Sequence, residues 1–252
     1  MKFGGASVAS HEQFAKIADI ILEKEEHARI VIVVSAMGDS TDQLLALARC
    51  VHPDPPPREQ DMLISVGERI SIALLAMALQ LKGREAISFT GSQSGIITTS
   101  KHTEARITTV KPRRLLQSLN ARKIAIVAGF QGVSLEGEIT TLGRGGSDTT
   151  AVALAVALNA SHVEFYKDVA GVYSEDPKRN PNAIRFPYLS YPEALSIMRK
   201  GEVLHSRCIE LAAKNSIPLH VLSFFNTHAS AAHLRTIIGE EQERGLCIYE
   251  DP

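Results

Sequence analysis

Residues 141–155 read TLGRGGSDTTAVALA, a glycine-rich turn that runs directly into an apolar helical segment. Ser147 or Asp148 could cap the helix that follows, and such a cap is the ordinary structural interpretation. A cap, however, requires neither the glycines nor the arginine just before it. With Arg144, the bare backbone of this turn would present N–H groups and a guanidinium at a helix N-terminus. The stretch therefore favours a binding site for an anionic ligand.

A second glycine turn stands at the start of the sequence, where residues 2–7 read KFGGAS. Gly4 and Gly5 would let the backbone approach a ligand closely, and their N–H groups suit a phosphate when a helix begins nearby. Lys2 would add a positive charge for a phosphoryl group. The turn is not a Walker A loop, in which a lysine follows the glycines, and a plain turn is the alternative.

Between and beyond these turns, β-branched runs alternate with helical patterns. The run RIVIVVS at residues 29–35 is typical of a strand buried on both faces. The predicted strands are Arg29–Ser35, Ala86–Phe89, Lys123–Ala128, His162–Tyr166 and Pro218–Leu222. The predicted helices are His11–Glu26, Asp42–Val51, Asp61–Leu81, Pro112–Leu119, Asp148–Asn159, Pro192–Lys200 and Arg207–Asn215. This alternation predicts the α/β class, a three-layer α/β/α sandwich around a mainly parallel central sheet.

Composition limits the class of function. The 252 residues carry a formal net charge of −1, so we expect no broad basic face for nucleic acid. The three cysteines are odd in number and have no paired spacing, which predicts reduced thiols. The histidines lack metal-ligand spacing, so no metal ligands are predicted. The longest apolar stretch, Ile70–Leu81, is too short to span a bilayer, and no signal peptide is visible. We therefore expect a cytoplasmic protein without a membrane partner.

Taken in order, the motifs of this chain resemble those of the aspartokinases, whose catalytic domain has the amino acid kinase fold. The matching segments are KFGGAS (2–7), SAMGDSTDQLL (35–45), GERIS (67–71), FTGSQSGIITT (89–99), VAGFQGV (127–133), TLGRGGSDTTAVALA (141–155), DVAGVYSEDP (168–177), RNPNA (179–183), GEVLHSR (201–207) and IPLHVLSF (217–224). The resemblance implies one catalytic domain with an aspartate-binding lobe over about residues 1–155 and an ATP-binding lobe over about 156–240. It also implies a homodimer.

The resemblance further implies an activity. The protein would transfer the γ-phosphoryl group of ATP to the β-carboxylate of L-aspartate, giving 4-phospho-L-aspartate and ADP, the first step towards lysine, threonine and methionine. Matched by motif, the implied residues are Lys2 and Asp148 for catalysis, Thr41, Glu68, Arg144 and Gly145 for aspartate, Gly4, Gly5 and Ser7 for the phosphoryl group, and Lys167, Asp168, Tyr173, Asp176 and Lys178 for ATP. Mg²⁺ would be held mainly by the phosphates of ATP and by water.

The chemistry of aspartate suits these residue types. Its two carboxylates require a bidentate cation such as Arg144, and its ammonium requires a carboxylate such as Glu68 or Asp148. Phosphoryl transfer depends on positioning and charge neutralisation, which lysines, backbone N–H groups and helix N-termini supply.

Several of these residues also have an ordinary structural interpretation when they are considered without the resemblance. Glu68 and Arg69 would form a solvated pair on the surface of a helix. Thr41 would cap a helix, and Tyr173 and Asp176 would be turn residues.

The sequence departs from the family pattern at several positions. The family usually has a buried strand before the lysine that corresponds to Lys2. Lys167 stands where Thr or Ser is usual, and Lys178 where arginine is frequent. Glu202 replaces a lysine that contacts the nucleotide, so we expect weakened or rearranged ATP binding, with Lys200 or Lys167 compensating. The sequence contains no ACT regulatory domains, so we expect no feedback inhibition by lysine or threonine through this chain alone.

Two other functions stay open. The chain could phosphorylate another acceptor on the same fold, such as acetylglutamate, glutamate, UMP or carbamate, although the order of SAMGD, GERIS and GRGGSDTT favours aspartate. It could also be a non-catalytic ligand-binding or partner subunit, a possibility that Glu202 and Lys167 motivate.

Overall fold

The computed structural model describes residues 1–198, 203–225, 234–239 and 247–250. Its strands are β1 (Lys2–Phe3), β2 (Val31–Val34), β3 (Ala86–Phe89), β4 (Ile96–Thr98), β5 (Ile107–Val110), β6 (Ile124–Ala128), β7 (Gln131–Ser134), β8 (Ile139–Thr141), β9 (Val163–Lys167), β10 (Val172–Tyr173), β11 (Arg185–Phe186), β12 (Tyr188–Leu189), β13 (Leu219–Ser223) and β14 (Arg235–Ile238). Its helices are α1 (His11–Glu25), α2 (Ser40–Val51), α3 (Pro57–Ile64), α4 (Val66–Leu81), α5 (Arg113–Asn120), α6 (Gly146–Ala157), α7 (Tyr191–Ile197) and α8 (Ser206–Lys214). A 3₁₀ turn, Gly5–Val8, follows β1.

Within the described residues, eight strands form the central sheet in the order β12-β14-β13-β9-β1-β2-β6-β3. Neighbouring strands are parallel except β13 and β14, so the prediction of a mainly parallel sheet is confirmed. The short strand β1 lies at the centre, where Lys2 pairs with Val33 on one side and Phe165 on the other. The division into two lobes stays a prediction, because this one sheet runs through both of them.

Helices cover both faces of the sheet, as strands that are apolar on both faces require. In β6, Ile124 and Ile126 belong to one hydrophobic core, which α1 and α4 cover, while Ala125 and Val127 belong to the other, which α6 and α8 cover. Helix α6 is buried along almost its entire length. The three-layer α/β/α sandwich is confirmed.

A second sheet was not predicted from the sequence. It has the order β5-β4-β7-β8 within the described residues. Along the chain, β4 and β5 come between β3 and β6 of the central sheet, and β7 and β8 come between β6 and β9. Its strands are three or four residues long and rich in threonine, as in ITT at residues 139–141, so they give no clear periodicity. The polar segment 175–182 lies between β10 and β11 and is mostly exposed, as the sequence predicts.

The predicted single helix Asp61–Leu81 is wrong, because two helices, α3 and α4, replace it. They are separated at Ser65, whose carbonyl accepts a hydrogen bond from Gln131 Nε2 at 2.8 Å. The apolar pattern continues across the break, so the sequence does not reveal it. The combined stretch Pro57–Leu81 is long and apolar enough to cross a membrane by composition, yet half of its most apolar window is buried in the fold, as in core helices.

Candidate active site

The two glycine turns meet at the carboxyl edge of the central sheet, the usual place for ligands in open α/β sheets. Lys2 is in β1, and Asp148 is in the first turn of α6. Lys2 Nζ lies 2.6 Å from Asp148 Oδ1, and both side chains are more than nine-tenths buried. The two turns, which stand far apart in the sequence, therefore belong to one site.

The second turn is shaped by Gly145, which has a φ of +71° in the left-handed region. A Cβ on Gly145 would lie 2.2 Å from Cβ of His205, so any other residue would clash as well as strain the backbone. Helix α6 begins at Gly146, and no side chain caps it, so the interpretation of Ser147 or Asp148 as a cap is wrong. The Gly146 N–H already donates to the Gly143 carbonyl at 3.0 Å, which leaves the N–H groups of Ser147 and Asp148 available to an anion.

Asp148 lies between two lysines. Its Oδ2 is 3.0 Å from Lys167 Nζ, while its Oδ1 contacts Lys2. Burial by itself raises the pKa of Asp148, but Lys167 and Lys2 outweigh burial and hold this pKa at about 2. Burial lowers the pKa of Lys2, and Asp148 opposes this shift. With both lysines charged, the cluster has an excess of positive charge, which suits an anionic ligand.

A larger cavity of about 490 Å³ opens on one side of Lys2. The predicted aspartate-binding residues that line it are Thr41, Glu68, Arg144 and Gly145. Helix α2 begins at Ser40, so Thr41 lies in its first turn and the interpretation of Thr41 as a cap is wrong. These four residues come from α2, α4 and the second glycine turn, and the fold brings them around a single space.

Glu68 is almost completely buried in the wall of the larger cavity, with 2% of its surface exposed. Its Oε1 accepts a hydrogen bond from the Ala36 N–H at 3.1 Å, while its Oε2 has no hydrogen-bond partner among the described residues. Burial raises the pKa of Glu68 to about 7, although backbone N–H groups and Lys2 oppose the shift. The interpretation of Glu68 as part of a solvated surface pair is therefore wrong, and its unpartnered oxygen suits a cationic group on a ligand.

A smaller cavity of about 270 Å³ lies on the other side of Lys2. The predicted phosphate- and ATP-binding residues that line it are Gly4, Gly5, Ser7, Lys167 and Asp168. The Ser7 hydroxyl donates to the Tyr166 carbonyl at 3.4 Å, so this side chain is directed at the protein backbone. The cavity therefore offers one wall of glycine backbone and one wall with Lys167.

Lys2 and Gly5 line both cavities, so the two spaces meet at these residues. A group held at this junction would be within reach of ligands on either side. Glu202 and Lys200, which are expected from the sequence to affect ATP binding, lie outside the described residues.

The other predicted ATP residues line neither of the two cavities. Tyr173 is in β10, while Asp176 and Lys178 are in the polar segment that follows it. Asp176 Oδ1 accepts a hydrogen bond from the Lys178 N–H at 2.9 Å, as a turn residue does. Lys178 also forms an ion pair with Asp168, which connects this segment to the smaller cavity.

Sequence reasoning missed several residues that line the larger cavity, among them Ser35, Ala36, Thr103, Phe130 and Thr141. Ser35 and Ala36 directly follow β2, so the rule that ligands bind at the carboxyl edge could have indicated them. Thr103 and Phe130 have φ values of +66° and +68°, and no feature of the sequence predicts left-handed backbone at these residues.

The described residues include one group that could hold a metal ion, formed by His162, Glu164 and His220. It lies near the amino ends of β9 and β13, at the edge of the sheet away from the two cavities. Both oxygens of Glu164 are already engaged, since Lys24 Nζ donates to one at 2.7 Å and the Tyr166 hydroxyl donates to the other at 2.9 Å. A metal would have to displace Lys24, so we assign no ion to this group.

The sequence of this chain is similar to those of known proteins. A model of the amino acid kinase family matches residues 1–223. The chain is 51% identical to the aspartokinase of Mycolicibacterium smegmatis over 228 residues, which are 89% of this chain and 54% of that protein. It is 48% identical to aspartokinase 2 of Bacillus subtilis over 251 residues, which are 98% of this chain and 60% of that protein. The chain thus spans a little over half the length of these relatives.

Solved structures are similar as well. The aspartate kinase from Synechocystis superimposes with a TM-score of 0.82 and 42% identity, over 97% of this chain and 40% of that chain. Aspartokinase III of E. coli, in complex with aspartate and ADP, gives a TM-score of 0.84 at 28% identity, over 96% of this chain and 64% of that chain. The UMP kinase from Bacillus anthracis, with a TM-score of 0.68 at 20% identity over 96% of this chain and 95% of that chain, shares the fold alone.

Proposed function

The chain belongs to the amino acid kinase family, and on that premise we propose that it phosphorylates L-aspartate. The γ-phosphoryl group of ATP is transferred to the β-carboxylate, giving 4-phospho-L-aspartate and ADP. The observation that supports this function most directly is that Lys2 and Gly5 line both cavities. A donor in one cavity and an acceptor in the other would meet beside the Lys2 ammonium.

The larger cavity is the proposed site of aspartate, because it offers the charges that this amino acid requires. Arg144 supplies a guanidinium for one carboxylate, and the unpartnered oxygen of Glu68 accepts from the ammonium. Thr41 and the N–H of Gly145 contribute hydrogen bonds. The β-carboxylate then faces Lys2, at the junction with the smaller cavity.

The smaller cavity is the proposed site of the ATP phosphates. The N–H groups of Gly4 and Gly5 surround the transferring phosphoryl group, and Lys167 adds a second positive charge beside Lys2. The other residues proposed to contact the phosphates or the nucleotide are Ser7, Asp168, Tyr173, Asp176 and Lys178.

The proposed reaction requires little covalent chemistry from the protein. A carboxylate oxygen of aspartate attacks the γ-phosphorus, and the bond from this phosphorus to the β-phosphate oxygen breaks as ADP leaves. Because the carboxylate is ionised at neutral pH, no general base is required. Lys2 and Lys167 neutralise charge on the transferring group. Asp148 contacts both ammonium groups, at 2.6 and 3.0 Å, and so orients them before the substrates bind.

Mg²⁺ fits this site as an ion that arrives with ATP. Among the described carboxylates beside the smaller cavity, Asp148 pairs with two lysines and Asp168 pairs with Lys178, so neither is arranged as an empty metal cage. Asp168 is the more exposed of the two and would contact the ion or its water ligands. The bound ion would neutralise phosphate charge.

We also propose that the enzyme is cytoplasmic, that it forms a homodimer, and that its product serves the synthesis of lysine, threonine and methionine. This proposal depends on the resemblance to the aspartokinases.

An assay of ADP release tests the proposed function. Mg-ATP is supplied with L-aspartate, glutamate, acetylglutamate, carbamate or UMP, and hydroxylamine traps any acyl phosphate as a hydroxamate. We expect ADP release and hydroxamate with L-aspartate. A wild-type chain that uses another acceptor and not aspartate would contradict the proposed substrate, and inactivity with every acceptor would favour a non-catalytic subunit.

Two variants connect the activity to the site. Lys2→Met removes the charge at the junction, so we expect kcat to fall by about 10²- to 10³-fold. Lys16→Ala, at an exposed position of α1, is the control and should keep the wild-type rate. A Lys2→Met enzyme with the wild-type kcat would remove Lys2 from the proposed mechanism.

A further inference from the structure

Asp61, in α3, is a completely buried carboxylate that the proposed mechanism does not use. Three groups surround it. The Thr141 hydroxyl donates to Oδ1 at 2.6 Å, the Thr103 N–H donates at 3.1 Å to Oδ2, and His102 Nδ1 lies 2.8 Å from Oδ2. Burying a carboxylate is costly unless its oxygens are well satisfied, so the arrangement requires all of these partners.

Two of the partners belong to the wall of the larger cavity. Thr103 and Thr141 both line it, whereas Asp61 does not. Thr141 ends β8, three residues before Arg144 in the sequence, and its carbonyl accepts from the Ala105 N–H at 2.9 Å. Asp61 therefore joins two separate segments, 102–105 and 141–144, directly behind the proposed aspartate site.

The backbone at Thr103 gives a reason for this anchor. Its φ of +66° is unfavourable for a β-branched residue, so the surroundings must enforce it. The hydrogen bond from the Thr103 N–H to Asp61 fixes the backbone at this residue. Without this acceptor, we expect the segment to relax and the cavity wall to move.

A second anchor holds the same two segments. Arg207, in α8, donates to the carbonyls of Leu142 and Ala105, the latter at 3.1 Å. Asp61 and Arg207 thus hold neighbouring residues of both segments with opposite charges. Removal of Asp61 alone leaves the Arg207 contacts in place, so segments 102–105 and 141–144 should shift while staying bonded to Arg207.

We propose that Asp61 is a positioning residue for the acceptor, acting through Thr103 and Thr141 to place the cavity wall and the turn that bears Arg144. This inference deepens the proposed function, since the acceptor it concerns is aspartate. The donor side should be much less affected, because neither of the two segments lines the smaller cavity.

Asp61→Asn tests the inference, because an amide keeps the size of the carboxylate but has one acceptor oxygen in place of two. We expect the KM for aspartate to rise at least about tenfold, as when a group in contact with substrate shifts slightly, while the KM for ATP stays within about twofold. The matched control is Glu164→Gln, which also alters a buried carboxylate but at the other edge of the sheet. We expect this control to lose stability and to keep both KM values.

His102→Gln gives a second measurement in case Asp61→Asn does not fold. His102 is partly exposed and does not line the larger cavity, yet it contacts Asp61, so its replacement should raise the KM for aspartate by a few-fold. A purely structural role would lower the melting temperature of these variants with both KM values unchanged, and that result would overturn the inference.

Wild-type activity separates this inference from the proposed function. If the wild type uses a different acceptor, the proposed substrate is wrong, and the KM for that acceptor then tests Asp61 in the same way. If the wild type uses aspartate and the variants keep its KM, Asp61 alone is refuted. A wild type that is inactive with every acceptor refutes both.

Discussion

Two buried carboxylates in the cleft, Glu68 and Asp148, have pKa values that move in opposite directions. Burial raises the pKa of Glu68 to about 7. Burial also acts on Asp148, but Lys167 and Lys2 hold its pKa at about 2. Asp148 is therefore a permanent anion that can orient lysines, whereas Glu68 exchanges a proton near neutral pH. The same functional group, a carboxylate, thus serves two purposes because its neighbours differ.

The raised pKa of Glu68 predicts a pH-dependent stability. Between its unfolded value of about 4.5 and its folded value of about 7, the folded state keeps a proton that the unfolded state has lost. The free energy of unfolding must therefore fall as pH rises through this range, by at most roughly 3 kcal/mol. Glu68→Gln removes this slope, so we expect it to match the wild type at pH 5 and to exceed it at pH 8.

Urea unfolding of both proteins at several pH values measures this difference. Glu59→Gln, which alters an exposed glutamate of α3, is the control and should follow the wild type at every pH. A constant difference between wild type and Glu68→Gln from pH 5 to pH 8 would show that Glu68 titrates normally.

The junction between α3 and α4 determines where Glu68 lies. The carbonyl of Ser65 accepts a hydrogen bond from Gln131 Nε2, and α4 begins at the next residue, Val66. The first turn of α4 approaches the loop after β2. Gly67 permits this approach, since a Cβ there would lie 2.7 Å from Cβ of Ala36. The contact also brings Glu68 to the Ala36 N–H. A break that interrupts one predicted helix thus places a carboxylate in the cavity wall.

Gly67→Ala should therefore destabilise the protein, although alanine has a higher helix propensity than glycine. Alanine is favoured in helices by about 1 kcal/mol over glycine, but a clash in a packed interior typically costs 1–3 kcal/mol. We expect a net loss of about 1 kcal/mol in the free energy of unfolding and an increased KM for aspartate. Urea unfolding and the ADP-release assay measure the two effects.

The double variant Gly67→Ala/Ala36→Gly is the matched control, since it removes the atom against which the new Cβ clashes. It should recover part of the stability lost by Gly67→Ala. If Gly67→Ala is instead more stable than the wild type, the helix and the loop are not in close contact.

In the molecule as a whole, the two cavities meet at the central strand β1, because Lys2 lines both of them. Strand β1 lies between β2 and β9 in the central sheet, so the residues that follow each of these strands converge at one edge. Residues of α2, α4 and the start of α6 line the larger cavity, whereas residues of the turn after β1 and of the end of β9 line the smaller one. The different linings of the two cavities predict that the two substrates bind mostly through different residues and share Lys2 and Gly5.

Thermal unfolding with ligands tests this separation. L-aspartate or Mg-ADP, each at about 100 times its Kd, should stabilise the wild type by about 2.7 kcal/mol and raise the Tm by roughly 5–10 °C. We expect Glu68→Gln to lose most of the shift with aspartate and to keep the shift with Mg-ADP. Lys167→Met should show the converse. A Glu68→Gln protein that loses both shifts equally would contradict the assignment of separate cavities.

Much of the fold could be predicted from the sequence, because apolar runs and helical periodicity depend on residues that are close together in the chain. The run at residues 29–35 predicted β2, and the helix predicted at His11–Glu26 was observed at His11–Glu25. Short strands such as β8 gave no such signal, since three residues cannot establish a period of two. The break at Ser65 was hidden for a different reason, which is that Gln131, the residue bonded to the Ser65 carbonyl, is distant in the sequence.

The sequence by itself determined which groups are available for chemistry, namely two bare glycine turns with Lys2 and Arg144 beside them and a continuous set of aspartokinase-like motifs. Only the tertiary structure decided that Lys2 contacts Asp148 and Lys167, that Glu68 is buried with an unpartnered oxygen, and that Asp61 anchors the cavity wall. Backbone turns and apolar periods are properties of neighbouring residues. Charge pairing, burial and the resulting pKa shifts depend instead on distances between residues far apart in the chain, and these are set when the sheet assembles.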